Sequence, residues 1–134
     1  MSDTGVLVVF RGQASGRRAL AAAAGLGVPL TVVTLAPRER PIRCGGHTGA
    51  LDEAISDAAL RELSSARALL GRRALGDRFV VLGTRGDGDL AAWARAAGLR
   101  RALIGARRAA FGVRLRDGVA RALARAGVEV SLID

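Results

Sequence analysis

Apolar residues along this chain fall in short blocks that alternate between continuous runs and helical spacing. Val6 to Phe10 is an unbroken apolar run, the pattern of a strand buried on both faces. An Ala-rich helix follows, with Ser15 placed to cap it and its end near Gly25. Leu30 to Leu35 reads as a second strand, bounded by Pro29 and Pro37. Residues 36–50, rich in Pro, Gly and Arg, read as a loop. Leu51, Ile55, Ala59, Leu63, Ala66 and Leu70 then recur on one helical face, with Gly71 just past the end. Phe79 to Leu82 is a third strand. Asp87 or Asp89 is placed to cap a helix through Trp93 that stops at Gly98, and Ala102 to Ile104 is a short fourth strand. The last helix carries Leu115, Val119 and Leu123 inward and stops at Gly127. Val128 to Leu132 closes the pattern as an alternating strand, as at a sheet edge.

Five strands separated by four helices predict an α/β domain over residues 1–134, a single mostly parallel sheet with helices on both faces. In such sheets ligands bind beyond the carboxyl ends of the strands, where strand order reverses. The first strand-to-helix turn, Phe10-Arg11-Gly12-Gln13, therefore matters most. Nucleotide-handling domains often place an acid at that strand end, and here the residue is Arg11.

The order of elements resembles the universal stress protein family over essentially the whole chain. The resemblance implies a Rossmann-like sheet of order 3-2-1-4-5. Nucleotide-binding members carry an Asp after the first strand, and Arg11 stands at that position, followed by Gly12. After the fourth strand they carry Gly, two residues, Gly, nine residues, then Gly with Ser or Thr. Gly105 matches the first glycine, Arg108 falls on the second, Gly118 on the third, and Val119 on the hydroxyl residue. Gly86-Asp87 resembles a Gly-Asp turn of the family. Gly83-Thr84-Arg85-Gly86 also reads as a motif opening, but that register reaches Ala96 at the third glycine and leaves a strand and helix over. The motif glycines bring backbone N–H groups close to phosphates, and the hydroxyl adds a donor. Arg11, Arg108 and Val119 oppose that chemistry, so the expectation is a degenerate nucleotide site with no ATP as cofactor. The resemblance also implies a homodimer through the last strand, residues 128–133.

Charge changes this picture. The formal net charge is +9, carried entirely by Arg because Lys is absent. Arg11 follows strand one; Arg38, Arg40 and Arg43 follow strand two; Arg85 follows strand three; Arg107 and Arg108 follow strand four. Guanidinium forks bind oxyanions bidentately, so convergence of these side chains predicts an anion pocket for a phosphate, sulfate or carboxylate metabolite. Two guanidiniums at neighbouring strand ends repel unless an anion or acid lies between them. No carboxylate immediately follows either strand, and the nearest, Asp87, Asp89 and Asp117, are expected to cap helices.

The reading is thus a ligand-binding or regulatory domain without catalysis. One alternative is a family member recruited as an enzyme or accessory protein for an anionic metabolite. Cys44 and His47 are the only nucleophile–base candidates, joined by a flexible Gly-Gly, and they are too few to close a metal site. Another is diffuse nucleic-acid binding. From residue 100 onward there are eight Arg against three carboxylates, but aromatics make up only 3% of the chain. Arg114, Arg121 and Arg125 share a stripe that reads as a solvated face, and Trp93 reads as core packing. No apolar run reaches the roughly 18 residues that span a bilayer. The N-terminus lacks signal-peptide features, so a cytoplasmic location is expected.

Overall fold

The first strand sets the layout because it has no polar face to expose. β1 (Val6–Val9) is buried on both sides, and Phe10 beyond it is equally enclosed. A computed structural model describes residues 5–11, 13–37, 48–71, 76–106 and 117–133, without the side chains of residues 13, 37 and 48–56. The following elements are α1 (Gln13–Ala24), β2 (Leu30–Pro37), α2 (Thr48–Leu70) and β3 (Arg78–Thr84). They continue with α3 (Gly88–Ala96), β4 (Arg101–Gly105), α4 (Gly118–Arg125) and β5 (Glu129–Ile133). The sheet order is β3-β2-β1-β4-β5 and every neighbouring pair is parallel.

Side chains alternate across the sheet and build two cores. Val6, Val8 and Phe10 pack with Leu30, Val32, Ala19, Leu20, Ala23 and Ala66 on the face covered by α1 and α2. Leu7, Val9, Val33 and Ile104 pack with Leu90, Ala94 and Leu123 on the face covered by α3 and α4. Trp93 is half-buried against this second core, as its apolar spacing implied. On α2, Ala59 and Ala66 are buried and Leu63 and Leu70 pack inward; the side chains of Leu51 and Ile55 lie outside the described residues. At the β3 edge the Arg67 guanidinium lies 4.7 Å above the Phe79 ring, a cation–π contact that shields an otherwise half-exposed aromatic. Among the described residues no helix is long and apolar enough to cross a membrane.

Several local expectations are corrected. β2 extends past its apolar run to Pro37, because it pairs with β3 as far as Thr84. Ser15 is not an N-cap: α1 already starts at Gln13, and the Ser15 hydroxyl donates back to the Arg11 carbonyl at 3.0 Å. Asp87 is the residue before α3 but makes no side-chain cap. Asp89 lies inside that helix, and one of its oxygens accepts from the N–H groups of Arg85 (2.6 Å) and Gly86 (3.2 Å), tying the preceding turn. α4 begins at Gly118, after Leu115, which lies outside the described residues. Gly98 and Gly127 follow α3 and α4 with φ of +75° and +88°, the left-handed conformation that ends a helix most readily at glycine.

Gly105 marks where β4 meets α1. An added methyl group there would overlap the backbone carbonyl of Ser15, so the strand can approach the helix this closely only through glycine. At Gly118 the atoms nearest an added methyl belong to the Asp87 carboxylate, the far end of an exposed side chain. Gly105→Ala is therefore expected to cost about 1–3 kcal/mol, the usual penalty of forcing atoms into a packed interior. Gly118→Ala is expected to be near neutral, since alanine's helix preference of up to about 1 kcal/mol offsets the movement of Asp87. Urea denaturation midpoints of the two variants test this contrast; equal losses would contradict it.

Candidate functional site

Strand order reverses at β1. The chain leaves it for β2 and β3 on one side, then crosses over to β4 and β5 on the other. The carboxyl ends of β1 and β4 thus flank the place where open α/β sheets bind ligands. Phe10 belongs to the α1/α2 core, so alternation directs the next side chain, Arg11, toward the opposite face where α4 begins.

There Arg11 meets Asp117. Its Nη2 donates to Asp117 Oδ2 in an ion pair between side chains that are 19% and 6% exposed. Asp117 is also the N-cap of α4, in an extended conformation (φ −121°, ψ 101°), and its Oδ1 accepts from Ala120 N at 3.1 Å. One carboxylate thereby satisfies a helix N-terminus and a guanidinium together, both favourable for a negative charge. Among the described residues the Arg11 Nε is buried without an acceptor. Asp117 caps a helix as expected, and the same carboxylate also pairs with Arg11.

The other expected residues that are described line neighbouring crevices or the core. Arg85 lines a crevice of about 250 Å³ at the ends of β2 and β3, with Leu35, Thr84, Asp87, Leu90 and Val119. Val119, standing where a hydroxyl would serve a phosphate, contributes an apolar wall. Gly118 lines a second depression of about 420 Å³ with Asp87, Arg121 and Arg125, both arginines being exposed. Gly105 is buried against α1. Gly12, Arg38, Arg40, Arg43, Cys44, His47, Arg107, Arg108 and Arg114 lie outside the described residues. Among the described residues no cluster of three or more His, Cys, Asp or Glu side chains could hold a metal. Asp117 caps α4 as its position implied, and its pairing with Arg11 is the part the sequence did not signal. Its Asp-Gly step signals a cap, but nothing local signals a partner 106 positions away.

Solved structures share this fold along nearly the entire chain. A universal stress protein family member from Burkholderia pseudomallei aligns with a TM-score of 0.74 and 20% identity, over 97% of this chain and 95% of that one. Universal stress protein UspA from Lactobacillus plantarum aligns with a TM-score of 0.66 and 16% identity, over 98% and 97% of the two chains. A universal stress protein solved in complex with cAMP gives a TM-score of 0.55 at 17% identity, over 99% and 98%. At these identities the likeness is one of fold. No protein-family model matches the sequence, and no curated protein matches it.

Two outcomes follow from the polar geometry. Arg11→Ala should cost about 1–3 kcal/mol, because the buried Asp117 carboxylate loses a charged donor while keeping its bond to Ala120 N. The same change in an Asp117→Asn background, where asparagine still caps the helix, should cost clearly less; a double-mutant cycle with no coupling would refute the ion pair's contribution. The two backbone bonds, from Arg85 first and Gly86 second, hold the Asp89 carboxyl below its usual value near 3.8. Its contribution to stability is present above that unfolded value and is lost as pH falls through the lower folded one. An NMR titration of the Asp89 carboxyl should show a midpoint below 3.8.

Proposed function

We propose that this chain is a universal stress protein-like domain with a degenerate nucleotide site and a ligand-binding or regulatory role rather than a catalytic one. The observation that carries the reading is the Arg11–Asp117 pair at the β1/β4 crevice. In the resembled family the residue after the first strand is an acid in nucleotide-binding members. Here that position is cationic, and the adjoining helix start is already occupied by the chain's own carboxylate. Val119 adds no hydroxyl donor, and the retained Gly105 is accounted for by its contact with Ser15. The cAMP-bound relative indicates that such a fold can take an adenine nucleotide. This chain's own charges oppose the magnesium-dependent form of that binding.

Assembly as a homodimer through β5 belongs to the same reading. β5 lies at an edge of the sheet, with Val130, Leu132 and Ile133 half-buried and Glu129 and Ser131 exposed. Such an edge offers unpaired backbone groups and apolar side chains to a second copy. Diffuse polyanion binding is the second reading, favoured by the exposed Arg121 and Arg125 and the net charge of +9. It differs in being strongly screened by salt, where a built pocket is screened much less.

Calorimetric titration should show no magnesium-dependent ATP binding tighter than about 100 μM, roughly −5.5 kcal/mol. Low-micromolar, magnesium-dependent binding would overturn the degenerate-site reading. Light scattering at tens of micromolar should give a dimer. Val130→Pro should give a folded monomer, since proline removes a ladder donor and fits poorly in a paired strand. A wild-type monomer at that concentration would rule out the β5 interface.

A further inference from the structure

We propose that the outer edge of β3 is a docking strand, to which a partner protein adds an extended segment with acidic residues at its ends. β3 and β5 are the two edges of the sheet, and the dimer reading engages only β5. Register fixes which backbone groups of β3 are free. The Phe10 N–H donates to the Val33 carbonyl at 2.9 Å, so odd-numbered β2 residues aim their backbone at β1 and even-numbered ones at β3. Leu30 agrees, its N–H reaching the Asp77 carboxylate just before β3. Val32, Thr34 and Ala36 lie opposite Phe79, Val81 and Gly83, so the residues between these, Arg78, Val80, Leu82 and Thr84, make the ladder with β2. The N–H and C=O groups of Phe79, Val81 and Gly83 therefore point outward, and among the described residues they have no partner.

Nothing within the strand blunts this edge. Edge strands commonly escape pairing by being very short, or through a proline, a bulge or an inward charge. β3 is 7 residues long, pairs with β2 in unbroken register, and holds no proline or charge from Phe79 to Thr84. Phe79 to Leu82 are each half-buried, so apolar surface on both faces of the sheet awaits cover by a neighbouring strand.

Charge selects the occupant. Exposed arginines stand at both ends, Arg78 opening β3 and Arg85 following it, and Arg67 lies 4.7 Å above the Phe79 ring between them. The acids beside them are engaged: Asp77 accepts from the Leu30 N–H at 2.9 Å, and Asp89 from the N–H groups of Arg85 and Gly86. A second copy of β3 is disfavoured, because antiparallel pairing brings Arg78 toward Arg85 and in-register parallel pairing sets like residues side by side. A segment with apolar residues flanked by aspartate or glutamate meets the free backbone, the apolar faces and the arginines together. Main-chain bonds supply affinity in such strand addition, and side chains supply specificity.

The test uses a labelled synthetic peptide of alternating valine and threonine with aspartates at both ends, and the same peptide ended with lysines. Fluorescence polarisation against the intact chain at constant ionic strength should show saturable binding of the aspartate-ended peptide, tighter than about 1 mM. The lysine-ended peptide should bind several-fold more weakly. Val81→Pro removes an outward donor and spares the bonds to β2, a placement that edge strands tolerate. Once circular dichroism shows this variant folded, its affinity should fall about tenfold, the scale of a lost hydrogen bond. Arg78→Glu leaves the backbone unchanged and should shift preference toward the lysine-ended peptide; it decides alone if the proline variant does not fold. No saturable binding by the wild type, equal binding of the two peptides, unchanged affinity in folded Val81→Pro, or unchanged preference in Arg78→Glu would overturn the docking strand. Binding indifferent to Val81→Pro is what diffuse charge attraction gives, since that needs no strand donor. None of these outcomes touches the degenerate-site reading, which falls to magnesium-dependent ATP binding.

Discussion

Burial of β1 on both faces is the constraint from which the site follows. A strand enclosed on two sides cannot slip by one residue, because a slip would exchange the contents of its two cores. Leu7 and Val9 are committed to α3 and α4, and Val6, Val8 and Phe10 to α1 and α2. Arg11 is therefore delivered to the α4 side with a charge and little contact with water. A guanidinium placed there needs an anion, and the helix start beside it needs an acceptor. Asp117 meets both needs with one group, so the capping of α4 and the neutralisation of Arg11 are a single event.

The framework was legible because it depends on period and punctuation. Continuous apolar runs at Val6–Phe10 and Leu30–Leu35 marked buried strands, and alternation at Val128–Leu132 marked the edge that β5 occupies. The order of strands came through the resemblance, since periodicity alone does not say that β4 lies beside β1. Less legible were side chains with several uses. Ser15, Asp87 and Asp89 all looked like caps, yet the hydroxyl turns back to Arg11 and Asp89 ties the turn before its helix. The partner of Arg11 was hidden by distance along the chain. Only the fold brings residues 11 and 117 together.

Arginine content illustrates why composition and site chemistry must be separated. The excess of +9 is spread over the molecule, and Arg121 and Arg125 face solvent where each is hydrated. Arg67 spends its charge on the face of Phe79. Arg11 alone among these is enclosed and matched by a buried carboxylate, and it lies where the sheet's topology concentrates ligand chemistry. Overall charge governs the encounter with polyanions.

The contact of Gly105 with the Ser15 carbonyl bears on how glycine-rich motifs should be read. A glycine held by two independent demands, close approach of a ligand and close approach of a helix, does not drift when the first demand disappears. Arg108 and Val119 stand where a phosphate-binding pattern would have a glycine and a hydroxyl, while Gly105 remains. Glycine at the first motif position is thus a record of architecture. Diagnosis of nucleotide chemistry in such domains belongs to positions whose only reason for being small or polar is the ligand itself.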